Sequence, residues 1–365
     1  RVTRNSDMWV DEDEADDLLN AIKGELHGRN YGAAVRLEVA NNCADETIKF
    51  LSEQHGLDAS DVYQVNGPVN LHRVSALVDL VDRADLKFPA MTPHFPEAIG
   101  PKGDPFSALR DGDILLHHPY ESYAPVVSLL NQAAADPAVL AIKMTLYRTG
   151  TESPIVRALV NAARNGKEVT AVVELRARFD EAANIDLATQ LQEAGATVAY
   201  GVVGHKCHAK MMLVVRREEG RIRRYVHLGT GNYHTGTSRF YTDFSYLTSD
   251  PDIGDDVHNV FQQLTSLGGV LPMHRLLHAP FTLKRTLIEL IQAETEAARA
   301  GRPARIRAKL NALSEPTVIA ALYDASQAGV EIDLVVRGIC CLRPGVPGIS
   351  ETIRVRSILG RFLEH

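Results

Sequence analysis

The stretch Val139-Leu140-Ala141-Ile142-Lys143-Met144-Thr145-Leu146 is a nearly continuous apolar run of strand length. Ser153 follows as an N-cap candidate, with Pro154 at the first helical position. Ile155, Val156, Leu159, Val160 and Ala163 then fall on one helix face, and Gly166 sits where a C-cap glycine belongs. Residues 169–175 read as the next strand. Residues 181–194 read as a helix closed by Gly195, and residues 197–200 as a further strand. Strand, helix, strand in this rhythm predicts an α/β fold: a mostly parallel sheet with helices packed on its faces.

Working outward, the same unit recurs. A shift of 163 residues carries Ile155-Val156, Ala158-Leu159, Ala162, Gly166, Glu168-Val169 and Val172-Val173 onto Val318-Ile319, Ala321-Leu322, Ala325, Gly329, Glu331-Ile332 and Val335-Val336. Any two strand–helix–strand units share some pattern. The common Gly-x-Glu-aliphatic corner favours true duplication, and two similar domains would place a pocket between them. Upstream, residues 1 to about 90 read as mixed α/β, with a helix over 11–26 and a strand over 34–39. Pro89, Pro93, Pro96, Pro101 and Pro105, with Gly100 and Gly103, mark a linker.

The bulk numbers bound the reading. A chain of 365 residues, 45% hydrophobic and 23% charged, is ordinary for a globular protein of two or three domains. No apolar run is long enough to span a bilayer, and Arg1-Val2-Thr3-Arg4-Asn5 lacks the apolar core of a signal peptide. Cys43, Cys207, Cys340 and Cys341 show no CxxC spacing, which argues against a disulfide framework or structural zinc and for a reducing cytoplasm. The net charge of −7 is segregated: acids crowd Asp11 to Asp17, most simply a solvated helix face. Arg337, Arg343, Arg354, Arg356 and Arg361 gather near the other end with only Glu351 among them, so a basic pocket is compatible with the total. The chain opens without methionine and stops at His365 without a cap or tail, so both ends are expected to be cuts.

The chemistry concentrates in Gly204-His205-Lys206-Cys207-His208-Ala209-Lys210, which runs straight into Met211-Met212-Leu213-Val214-Val215. On a strand, His208 and Lys210 share a face. Neutral imidazole is a competent nucleophile near neutral pH, and a lysine beside it can hold phosphoryl oxygens. Taken alone, the pair is equally a histidine at a strand start with no special role. Gly229-Thr230-Gly231-Asn232 after Tyr225-Val226-His227-Leu228 adds a glycine-rich turn whose backbone N–H groups and Asn232 amide suit phosphate oxygens. His117-His118, His205, and His274 with His278 are too irregularly placed, and too poorly supported by acids or thiols, to read as a transition-metal site.

His-x-Lys, a hairpin and Gly-Thr-Gly-Asn in this order resemble the phospholipase D superfamily, in which two such units face each other across one phosphate site. The phosphodiesterases of that superfamily add an acid five residues after the lysine; this chain has Val215 there. Leu116-His117-His118-Pro119-Tyr120-Glu121-Ser122-Tyr123, Thr145-Leu146-Tyr147-Arg148-Thr149, Glu174-Leu175-Arg176-Ala177-Arg178-Phe179-Asp180-Glu181, Tyr241-Thr242-Asp243-Phe244-Ser245 and Arg337-Gly338-Ile339-Cys340 resemble the blocks of the bacterial polyphosphate kinases of the phosphohistidine type, in order over essentially the whole chain.

That resemblance implies two phospholipase D-like mixed-sheet catalytic domains, at 95–276 and, truncated, at 277–365, preceded by part of an α/β head domain at 1–94. It implies His208 as the phosphohistidine nucleophile, with Lys210 beside it. Arg148 and Arg178 match the family's magnesium positions; arginine offers no lone pair, so both are read as grips on magnesium-bound phosphate. Tyr241 and Arg337 match ATP contacts. The repeat and the family converge on His365 as the second, acid/base histidine, near the nucleotide. The implied substrates are ATP or ADP and inorganic polyphosphate, with Mg2+. The implied assembly is a homodimer or homotetramer of the full-length protein, cytoplasmic or peripheral at the membrane, with no nucleic acid and no integral membrane segment. Two other readings stand beside this one: a phospholipase D-like phosphodiesterase, and a polyanion-binding module without turnover.

Overall fold

The computed structural model describes residues 1–5, 22, 32–100, 103–150, 153–175, 177, 180–201, 205–265, 269 and 271–364. They fall into two units, Arg1–Met91 with Leu175–Ile185 and Val203–His205, and Thr92–Glu174 with Asp186–Val202 and Lys206–His365.

In the first unit, β1 (Val2–Arg4), β2 (Ala34–Ala40) and β3 (Val62–Val65) form a three-stranded sheet in that order. Alternate residues Leu37 and Val39 of β2 point into a small core with Leu57. Helix α1 (Asp45–His55) ends at Gly56, whose φ of 62° is the left-handed turn that stops it. The helix expected over 11–26 lies, apart from Ile22, outside the described residues.

The second unit begins with α2 (Pro105–Asp111), β4 (Ile114–His118) and α3 (Ala124–Ala135). The stretch quoted first is β5, Val139–Leu146, as expected. Helix α4 (Pro154–Arg164) starts as its sequence dictates: Ser153 Oγ accepts from the Ile155 N–H at 3.2 Å. Strand β6 (Glu168–Val173) pairs parallel with β5. Helix α5 (Glu181–Glu193) and β7 (Thr197–Ala199) continue the pattern. The hairpin β8 (Lys210–Glu218) and β9 (Arg221–Gly229) and strand β10 (Tyr241–Thr248) then add antiparallel strands. The sheet runs β14-β10-β9-β8-β5-β6-β7, with β4 also pairing β10, where β14 is Leu363–Glu364. It is therefore mixed rather than mostly parallel: a hairpin returns the chain antiparallel, while helical crossovers keep β5, β6 and β7 parallel. Helix α6 (Pro251–Thr265) packs Val257 and Phe261 on the apolar face of β8 and β9.

After α7 (Leu283–Arg299), strands β11 (Arg305–Leu310), β12 (Glu331–Val336) and β13 (Ile353–Arg356) form a parallel sheet, with helix α8 (Pro316–Gln327) between β11 and β12. The repeat seen in the sequence is repeated in space. β6 and β12 have the same length and differ by the expected shift. Gly166 and Gly329 both close their helices at positive φ, 78° and 94°. In each copy the glycine N–H and the next N–H bond back to the last helical turn.

Candidate active site

The C-terminal ends of β5 and β6 and the start of β8 converge on His208. Lys210 is the first residue of β8, so His208 precedes the ladder rather than sitting within it. Three side-chain bonds hold the approach instead. Glu174 Oε2 accepts from the Cys207 N–H at 2.7 Å. Thr145 Oγ1 donates to the Ala209 carbonyl at 2.7 Å and accepts from the Met211 N–H at 3.0 Å. His208 is exposed and Lys210 is buried. Both meet the Tyr147 ring. The imidazole lies edge-on with centroids 4.8 Å apart, and Lys210 Nζ stands 5.2 Å from the ring centre. The Arg148 guanidinium approaches the same ring at 5.5 Å. The nucleophile, lysine and arginine inferred from sequence are thus gathered around one aromatic side chain.

Burial pushes the Lys210 ammonium down to about 8, assisted by Arg148 and opposed by Asp243 and Cys207. Lys210 Nζ donates to the His208 carbonyl at 2.6 Å. Asp243, on β10, accepts from Thr230 Oγ1 at 2.9 Å. The Gly-Thr-Gly-Asn turn needs glycine at 231 because a Cβ there would lie 2.3 Å from Asp243 Oδ2. Asn232 lines a small cavity with His118, Tyr123, Asp243 and Ser245, and its buried Oδ1 has no hydrogen-bond partner among the described residues.

Two further histidines line this region as buried neutral groups. His118 bonds the Glu121 carbonyl through Nδ1 at 2.9 Å, so Nδ1 carries the proton and Nε2 accepts from Ser245 Oγ at 2.8 Å. Burial lowers its pKa. Burial also holds His227 down to about 3, with Tyr233 Oη 2.8 Å from its Nδ1. Among the described residues no three His, Cys, Asp or Glu side chains cluster as a metal site.

Tyr241 opens β10, and the Arg337 guanidinium stands 5.7 Å from its ring centre, so the two expected nucleotide contacts are neighbours. β14 runs parallel to β10, with Leu363 beside Tyr241 and Glu364 beside Thr242. Thr242 Oγ1 donates to Glu364 Oε2 at 2.8 Å, and Lys309 Nζ also donates to that oxygen. Arg178 and His365 lie outside the described residues. Sequence reasoning missed Thr145, Tyr147, Glu174 and Asp243 as individual contributors. All four stood inside the motif blocks, but a threonine ending a buried strand or an acid following one carries no signal of its own.

The fold and site define a mixed α/β protein that presents an exposed histidine among buried and half-buried cations at strand ends, an arrangement suited to phosphoryl groups. Family profiles match in chain order: polyphosphate kinase middle domain over residues 1–77, C-terminal domain 1 over 104–269 and C-terminal domain 2 over 276–365. The chain is 61% identical over its whole length to a polyphosphate kinase of Burkholderia ambifaria, covering 54% of that protein. It is 58% identical to one of Pseudomonas aeruginosa, covering 53%. The crystal structure of polyphosphate kinase from Porphyromonas gingivalis superposes with a TM-score of 0.81 at 32% identity, over 91% of this chain and 51% of that one. The chain belongs to the polyphosphate kinase family. It spans about half the length of the curated relatives it matches.

Proposed function

We propose that the chain is the catalytic part of a polyphosphate kinase, which reversibly transfers the terminal phosphoryl group of ATP to inorganic polyphosphate through a phosphohistidine at His208. The observation that carries this reading is the meeting of exposed His208 with Lys210 and Arg148 around Tyr147. An imidazole nitrogen attacks the γ-phosphorus, the bond to the ADP oxygen breaks, and a polyphosphate terminal oxygen then displaces the histidine. Such transfer needs in-line placement and charge neutralisation above all. Lys210, Arg148 and Arg178 take the oxygens of the transferring group. Tyr241, Arg337 and Asn232 hold nucleotide and phosphate, and His365 serves as acid/base to the leaving group.

Mg2+ accompanies this chemistry on the nucleotide phosphates. The described residues form no group of three His, Cys, Asp or Glu side chains for it and arginine cannot ligate it, so Arg148 and Arg178 would grip the oxygens of magnesium-bound phosphate rather than the ion. The reading includes a head portion at 1–94 and two phospholipase D-like domains at 95–276 and 277–365, a division supported by the recurrence of strand, helix and cap. It also includes a homodimer or homotetramer of the full-length protein, resident in the cytoplasm or peripherally at the membrane. Among the described residues no helix is long and apolar enough to cross a membrane, and the four cysteines are free. Against a phosphodiesterase, position 215 is a valine packed on the apolar cluster between the sheet and α6.

The test is acid-labile, base-stable phosphate on the full-length protein after incubation with ATP and magnesium. Label in the wild type and none in His208→Ala is the expected result. An unlabelled wild type would move the assignment to a hydrolase or a binding module.

A further inference from the structure

The main-chain pairing of β5 with β8 stops at Met144 and Met212. The last β5 carbonyl, Leu146, is taken by the Glu174 N–H at 2.9 Å, so the end of β5 is tied to β6. Residues 207–209 lie in no ladder, and Lys210 and Met211 pair only with β9, so the side of 207–211 that faces β5 has no ladder just where His208 lies. Its backbone polar groups are met by two buried side chains, Thr145 and Glu174, 2% and 3% exposed. The single Thr145 hydroxyl uses its proton on Ala209 and a lone pair on Met211. The Glu174 carboxylate takes Cys207. Residues 207, 209 and 211 are each held, and His208 and Lys210 fall between them, both reaching Tyr147.

We propose that Thr145 and Glu174 are positioning residues that set the attack geometry of His208. This rests on the phosphohistidine reading above. Neither residue need touch substrate: each fixes backbone atoms directly beside the nucleophile. A ladder would bind the same groups but would lay the histidine into the sheet; side-chain anchors hold the segment and leave His208 exposed. Small displacements of an attacking group cost rate steeply, on the order of 100-fold per ångström.

The experiment compares full-length wild type with Thr145→Val, Thr145→Ser, Glu174→Ala and Glu174→Gln. Two readouts are taken: the rate of phosphohistidine formation as a function of ATP concentration, and amide hydrogen exchange at Cys207 and Met211. Valine fills the threonine's volume without its hydrogen bonds, and alanine removes the acceptor; serine and glutamine restore them. Expected are a roughly 10- to 100-fold fall in the maximal rate for Thr145→Val and Glu174→Ala, with the ATP concentration for half-maximal rate within about twofold, and recovery to within about threefold in Thr145→Ser and Glu174→Gln. Exchange should quicken at Met211 in Thr145→Val and at Cys207 in Glu174→Ala. Quickened exchange with unchanged labelling rates would overturn the proposal, as would an equal loss in the serine and glutamine variants. If Thr145→Val or Glu174→Ala fails to fold, the conservative variants decide: full activity supports the hydrogen-bond role and a large loss refutes it. If even the wild type takes no label while exchange responds as expected, the phosphohistidine reading fails and the anchoring of the segment stands.

Discussion

Burial holds the Lys210 ammonium at about 8, far below its ordinary 10.5, so its charge is lost within an accessible pH range. If that charge neutralises the phosphoryl group, labelling of His208 should show an alkaline limb centred near this value. At pH 9 only about one lysine in eleven would remain protonated, so the initial rate should be roughly tenfold below its value at pH 7. The perturbation that isolates this group is Lys210→Arg. Guanidinium stays charged throughout the range, so the variant, whatever its absolute rate, should run flat from pH 7 to 10. The assay is the initial rate of acid-labile label with saturating ATP and magnesium, read across that range in both proteins. A wild-type rate that stays level to pH 10 would refute the role of the Lys210 charge. The same decline in both proteins would assign the limb to another group.

Gly231→Ala should cost about 1–3 kcal/mol in urea unfolding, because the new Cβ overlaps Asp243 Oδ2. By displacing Asp243, which supports the charged lysine, it should also move the alkaline limb to lower pH. Asp256 is fully buried, and its carboxylate accepts from the N–H groups of His274, Arg275 and Leu276. Asp256→Ala should therefore cost about 3 kcal/mol or more in the same measurement, with Asp256→Asn losing less. Burial raises the Asp256 pKa, but these three bonds lower it further, to a net value below the ordinary 3.8. The stability it supplies is present above that value and lost as the pH falls through the folded one.

Much of the fold was legible because its signals are local. β5 was bounded to the residue, and Ser153, Pro154 and Gly166 marked α4 through cap geometry alone. Sheet direction was less legible: strand and helix alternate visibly, but whether a strand inserts parallel or antiparallel depends on partners far along the chain, as β10 with β4, β9 and β14 illustrates. In the site, His208 and Lys210 were visible as a pair, though their placement differs from a shared strand face because β8 begins only at Lys210. Tyr147, where both side chains meet, is distant in sequence and could be found only in space. Glu174 and Thr145 act through backbone groups, and no residue pattern encodes that.

The recurrence of the unit gives these anchors a wider meaning. The sheet pairs Ala141 with Glu168 in the first copy and Arg305 with Glu331 in the second. By that register Thr145 corresponds to Lys309, and Glu174 to Arg337. The main-chain bond is retained: the Glu174 N–H reaches Leu146 O at 2.9 Å and the Arg337 N–H reaches Leu310 O at 3.1 Å. The side chains diverge. In the first copy threonine and glutamate hold the segment around His208. In the second, Lys309 holds Glu364, the residue before His365, while Arg337 turns to Tyr241. One strand-end position thus anchors a histidine-bearing segment in each copy. The other serves as an anchor in the first and presents a cation in the second. Such a division draws two unlike halves from a single repeated frame, which is what the proposed reaction would need, with His208 taking the phosphoryl group and His365 attending the leaving group.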